Sequence, residues 1–146
     1  MNWAVDFPNR RLARGWVVNQ GISENRLMTA ADLGAGFTAL AGLAHGSGLR
    51  IVAATIGPYA GAVYPGVVTP DGLVARREVN DWIRTAGVFA GVFVGVFDVA
   101  RAVGNPDDPD FIRPDLDSGD GTHLNDKGAE AMTTPWTWTT SLHNRS

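Results

Sequence analysis

Seven residues, Leu49-Arg50-Ile51-Val52-Ala53-Ala54-Thr55, form a nearly continuous apolar run of strand length that stops at Gly57-Pro58. An apolar run of this length, without polar alternation, belongs to a strand buried on both faces, and such strands are characteristic of parallel sheets covered by helices. The flanking sequence supplies those helices. Thr29-Ala30-Ala31-Asp32 has the form of a capping box, with Thr29 accepting from first-turn amides and Asp32 near the positive helix end. Leu33, Phe37, Leu40, Leu43 and Ala44 follow at helical spacing, and Gly46 and Gly48 provide a stop. The spacing predicts a helix from Ala30 to His45 with its apolar stripe on a sheet. Thr69-Pro70-Asp71 opens a second helix that runs to about Thr85, because proline is tolerated in a first turn. Val74, Val79, Trp82 and Ile83 form its apolar side, and Arg76, Arg77, Glu78 and Arg84 are expected on a solvated one.

The remaining elements extend the same grammar. Arg14 to Asn19, around Trp16-Val17-Val18, reads as a short strand ending in the breaker cluster Asn19-Gln20-Gly21. Tyr59 to Pro70 is a loop, and Gly91 to Phe97 reads as a second buried strand ending at Asp98. Asn105 to Pro114 is a proline and aspartate loop. Asn125 caps a last helix beginning near Asp126 and including Ala129 and Met132. Thr133 to Ser146 has no helical face and reads as an irregular tail with room for a short strand. Strand, helix, strand, helix, strand, helix is the pattern of a three-layer α/β domain with right-handed crossovers.

Composition narrows the function. The 146 residues contain no cysteine, which excludes a disulfide framework and a thiolate metal site. Twelve Lys and Arg against 15 Asp and Glu give a net charge of −3, with no basic run to attract nucleic acid or anionic lipid. The longest apolar stretch, Ala86 to Val96, is broken by Gly87, Gly91 and Gly95 and is too short to span a bilayer. No export signal is read at the N-terminus, so a cytoplasmic location is the default expectation.

The segment Asp120-Gly121-Thr122-His123-Leu124-Asn125-Asp126-Lys127-Gly128 resembles the last block of the SGNH (GDSL-type) hydrolases, a family of esterase and lipase-like acylhydrolases. In that block Asp-x-x-His leads through a small residue or proline to Asn, Asp, x and Gly, and this sequence departs at Leu124. Val17 to Leu27 is similar to the family's second block. Gly48-Leu49-Arg50 through Pro58 and Glu78-Val79-Asn80-Asp81-Trp82-Ile83-Arg84 add to the resemblance, which covers most of Val17 to Met132. It implies a flavodoxin-like α/β/α domain with a mostly parallel sheet and a serine-type cleavage of an acyl or acetyl ester, without metal or nucleotide cofactor. His123 would be the base and Asp120 its orienter. A serine hydroxyl is a weak nucleophile until a neighbouring base takes its proton, and a third group fixes the base's tautomer.

The departures are equally specific. The family's Gly-Asp-Ser block is expected before Trp3 and its Gly-x-Asn-Asp block between Leu27 and Thr29, and the sequence has neither. The oxyanion and substrate region of the second block falls at Gly21 and Glu24, where a carboxylate opposes developing negative charge. Of Ser23, Ser47, Ser118, Ser141 and Ser146, none follows Gly-Asp. The expectation is therefore a catalytically impaired member, 1–132 forming an incomplete domain without the family's first and third strands and 133–146 the tail. Unpaired apolar edges would favour a homo-oligomer, an expectation that a sharp, concentration-independent monomer melting transition would remove. The alternative is a non-enzymatic binding or interaction module that keeps a cleft for a small ester or acylated sugar.

Other polar residues have plainer readings. Asp98 is expected to be a loop or helix cap, His45 and His143 structural or disordered, and Asn19 and Asn25 turn-shaping. Trp136 and Trp138 belong to the tail. Asp107, Asp108 and Asp110 lack the ordered spacing of a calcium loop and are expected to form a solvated acidic turn.

Overall fold

The computed structural model describes residues 29–86 and 95–132, together with the backbone of five short strands outside them. Four of these precede residue 29. Strands β1 (Asn2–Val5) and β2 (Ala13–Trp16) pair antiparallel, Asn2 opposite Trp16 and Val5 opposite Ala13. Strands β3 (Ile22–Ser23) and β4 (Arg26–Leu27) form a second antiparallel pair. The strand expected at Arg14 to Asn19 is present over its described part and is corrected in partner. Strand residues Ala13–Trp16 pair with β1 in a two-stranded ribbon separate from the parallel pair, and Val17, Val18 and Asn19 lie outside the described residues.

Helix α1 (Ala30–Gly46) begins as the capping box predicts. Thr29 Oγ1 accepts from Asp32 N at 3.2 Å, and Asp32 Oδ2 accepts from Thr29 N at 3.2 Å. It ends where Gly48 takes φ +71° and Leu49 N donates back to Ala44 O. Helix α2 (Pro70–Arg84) has Thr69 as its cap, with Oγ1 accepting from Gly72 N. Strand β5 (Val52–Ala54) lies parallel to β6 (Gly95–Phe97), joined through α2. Strand β7 (Trp136–Thr137) pairs antiparallel with the other side of β6, so the short strand of the tail is realised. Among the described residues β5 pairs on one side only. Helix α3 (Val99–Val103) was not anticipated. Helix α4 (Asp126–Ala131) is capped by Asn125 as predicted.

This is a mixed α/β structure with a parallel strand pair and, among the described residues, four helices. Successive strand residues serve opposite faces. Ala53 and Val96 join Ala41, Val79 and Ile83 under α1 and α2. Ala54 and Phe97 pack with Val99, Val103, Ile112 and Leu116 on the side of α3 and α4. The predicted stripe of α1 needs correction, since Leu40 and Leu43 are exposed. Small residues at Gly34 and Ala41 let α1 close on its neighbours, Gly34 lying against the Trp82 ring while Phe37 stacks on Trp82 at 6.3 Å. That rotation turns Leu40 and Leu43 outward. Val74, assigned to the apolar side of α2, is likewise exposed.

Candidate functional site

Two loops at the end of the parallel pair build the site. The first, after β5, is anchored to α2: Asn80 Oδ1 accepts from Ile56 N at 2.7 Å and Asn80 Nδ2 donates to Ile56 O at 2.9 Å. Arg76, almost wholly buried, donates to Ile56 O, Pro109 O and Asp110 Oδ1, and Arg77 also pairs with Asp110. The second loop precedes α4. Asn125 Nδ2 donates to the carbonyls of Asp115 and Asp117 while its Oδ1 accepts from Gly128 N. A Cβ at Gly128 would sit 2.6 Å from Leu116 O, which explains why glycine closes the Asn-Asp-x-Gly segment.

Between these anchors the loops touch. Asp117 Oδ1 accepts from Gly119 N and Gly121 N, and Gly121 adopts φ +70°. Its Cα faces Gly61 so closely that a Cβ would lie 1.9 Å from Gly61 O. Only glycine meets both demands. Val63 N donates to Asp120 O at 3.1 Å across the same junction.

The junction presents Asp120 to His123. Asp120 Oδ1 accepts from His123 N at 2.8 Å, Thr122 N at 2.9 Å and Ser118 Oγ at 3.3 Å. Oδ2 lies 2.6 Å from His123 Nδ1 and accepts from Tyr64 OH at 3.1 Å. The backbone amide of His123, then its ring, then the Thr122 amide hold the Asp120 carboxyl well below the ordinary carboxylate range. An ionised Oδ2 requires Nδ1 to carry the ring proton, which leaves Nε2 as the acceptor. The hydrogen bond to the same carboxylate raises the Tyr64 phenol above its ordinary value. The imidazole side chain is 63% exposed and the carboxylate 23%. The arrangement can take a proton at Nε2 from a group arriving from solvent or from a substrate.

Sequence reasoning placed Asp120 and His123 together, and the loop does so. Gly21 and Glu24 lie outside the described residues, as do Ser141, Ser146, Asn19, Asn25, Trp138 and His143, and Ser23 is described by its backbone alone. Ser118 Oγ donates to Asp120 and Ser47 Oγ to Leu43 O. Among the described residues no serine hydroxyl is hydrogen-bonded to the His123 ring. Asp98 is the N-cap of α3, the second of the two roles, loop or helix cap, expected for it, and also an ion-pair partner of Arg84.

Three expectations are corrected. Arg76 is 4% exposed and does not belong to a solvated face, and Arg84, at 30%, is partly buried against Asp98. Asp110 pairs with Arg76 and Arg77 and is 14% exposed, whereas Asp107 and Asp108 remain exposed. The cause is the same in each case: carboxylates distant in sequence come to meet α2. Asn80 and Arg76, which hold the loop after β5, and Tyr64 were missed as positioning residues. The Glu78 to Arg84 segment carried a signal for Asn80, but Tyr64, in a glycine-rich loop, carried none.

Among the described residues no three His, Asp or Glu side chains are grouped to hold a metal ion. No described helix is long and apolar enough to cross a membrane. No family model matches the sequence, and no curated protein matches it.

Proposed function

We propose that the chain is an incomplete, flavodoxin-like α/β/α relative of the SGNH hydrolases, and that Asp120 and His123 are the proton-handling half of a serine-type ester-cleaving site. The observation that carries this reading is the 2.6 Å contact of His123 Nδ1 with an Asp120 carboxylate held by two backbone amides. In the proposed reaction a serine hydroxyl attacks the carbonyl carbon of a small acyl ester or acylated sugar. His123 Nε2 takes the hydroxyl proton as the bond forms and returns it to the departing alcohol. Water then attacks the acyl-serine by the same proton route, releasing the acid and restoring the serine. Asp120 remains ionised throughout and holds the ring.

The sequence contains no Gly-Asp-Ser, so activity of this chain by itself is expected to be slow. Hydrolysis of a short-chain p-nitrophenyl ester by the purified protein, run beside His123→Ala, tests the assignment. Slow turnover that disappears in the variant is expected. Equal rates in the two proteins would overturn it.

A second reading is favoured by one observation, that Ser118 Oγ donates to Asp120 and not to the imidazole. Under it the chain is a non-enzymatic module that binds the acyl group without cleaving it. Calorimetry with acetylated sugars is then expected to show saturable heat where the ester assay shows no His123-dependent turnover.

A further inference from the structure

Asp120 Oδ2 is shared. It receives the His123 ring at 2.6 Å and the Tyr64 phenol at 3.1 Å, whereas the two backbone amides fall on Oδ1. Tyr64 comes from the loop after β5, 56 residues before Asp120. It is delivered by contacts that tolerate little displacement: Val63 N on Asp120 O, Gly61 against Gly121, and the Asn80 and Arg76 grip on Ile56. The amides on Oδ1 already fix where the carboxylate lies. The phenol therefore has a different effect, which is to draw electron density from the one oxygen that holds the imidazole.

We propose that Tyr64 is a positioning residue that acts through Asp120, its hydroxyl competing with His123 Nδ1 for Oδ2 and so setting how strongly the carboxylate polarises the imidazole. This rests on the reading of His123 as the base. A phenol donating to a carboxylate weakens that oxygen as an acceptor for any second donor. With the hydroxyl removed, Oδ2 belongs to the ring alone, and Nε2 becomes the stronger nucleophile. The raised phenol agrees with this geometry, because the proton shared with Asp120 is held more firmly than in free tyrosine.

Tyr64→Phe keeps the ring and removes only the hydroxyl. Carbethoxylation with diethyl pyrocarbonate at mildly alkaline pH, resolved by site with mass spectrometry, reads the nucleophilicity of His123, and the exposed His45 serves as internal reference. The rate ratio of His123 to His45 is expected to rise about twofold in the variant. An unchanged ratio would overturn the proposal, and so would a fall, which would make Tyr64 a prop for the loop. A second measurement reads the contact itself. The chain has two tyrosines, so in a Tyr59→Phe background ultraviolet titration reports Tyr64 alone. Its midpoint is expected to drop when Asp120→Asn is added, and an unmoved midpoint would overturn the proposal. Neither measurement needs ester turnover, so failure here and failure of the ester assay are separate results.

Discussion

Asp98 and Asp120 are built alike and do different things. Each accepts from a backbone amide three residues on, Asp98 from Arg101 N at 3.2 Å and Asp120 from His123 N at 2.8 Å. Each also accepts from a hydroxyl of the β5 end or the loop after it, Thr55 for Asp98 and Tyr64 for Asp120. Both carboxyls are held below the ordinary range. For Asp98 burial pushes upward, but the Arg84 guanidinium and the amide and hydroxyl donors outweigh it. The difference is the third partner. Arg84 grips Asp98 with Nε at 2.9 Å and Nη2 at 2.8 Å, and a guanidinium keeps its proton at any pH a protein meets. His123 can give its proton up, and its side chain is 63% exposed where Arg84 is 30%. The same carboxylate scaffold is a staple when its partner is a partly buried fixed cation and, in the proposed site, a proton-handling pair when its partner is an exposed titratable ring.

The sharpest way to break this comparison is to replace each carboxylate by its amide. Asp120→Asn is expected to lower His123-dependent ester turnover about a hundredfold or more, because an amide no longer fixes the tautomer or stabilises the imidazolium. Its melting temperature should fall by less than in Asp98→Asn, since Oδ1 and its two amide donors survive and the ring that pairs with the carboxylate is exposed. Turnover that is His123-dependent yet indifferent to this change would leave Asp120 without a catalytic part. Asp98→Asn should do the reverse, costing about 1–2 kcal/mol in denaturant unfolding by removing the less exposed of the two carboxylates that hold a partly buried guanidinium and leaving it only the exposed Asp81. Ester turnover should follow only the folded fraction.

A smaller effect sharpens the same contrast through pH. The folded value of Asp98 lies below its unfolded one, so its contribution to stability is fully present above the ordinary carboxylate pKa. That contribution is lost as pH falls through the folded value. Below about pH 4 the parent should therefore lose stability faster than Asp98→Asn, and the two denaturation curves should converge. Curves that stay parallel would show that Arg84 gains nothing from the charge.

How much of this was legible in the sequence follows from how far apart the partners lie. The Thr29 and Asp32 box, the Thr69-Pro70 entry, the Asn125 cap and the Asp120 and His123 pair all act within a few residues, where backbone geometry dictates who meets whom. Asp110 with Arg76, Asp98 with Arg84 and Tyr64 with Asp120 span 34, 14 and 56 residues, and nothing local announces them. Arg76 on a helix face beside Arg77 and Glu78 reads as solvated until the 104–112 segment folds over it. Leu40 and Leu43 fit a helical stripe by spacing, yet Gly34 and Ala41 decide which side closes. Helix α3 is five residues long, too short for periodicity to register. The N-terminal ribbon was missed because pairing of Asn2–Val5 with Ala13–Trp16 competes with a parallel assignment that the apolar run of Trp16-Val17-Val18 suggested.

The smallest effect is expected at Ser118, and it bears on where the nucleophile is. Ser118 Oγ reaches Asp120 Oδ1 at 3.3 Å, the longest contact that carboxylate makes, and Oδ1 is already satisfied by two amides. A hydroxyl that donates to the orienting carboxylate has its proton directed away from Nε2, the atom that would have to take it. Ser118→Ala should therefore leave both the unfolding midpoint and any His123-dependent turnover within about twofold of the parent, as for an exposed substitution that breaks one weak bond. Loss of turnover in this variant, with stability kept, would mean that the loop rearranges so that the hydroxyl reaches the imidazole. The pair at Asp120 and His123 would then be complete within its own loop, and its contrast with the Asp98 staple would widen from a difference of partner to a difference of chemistry.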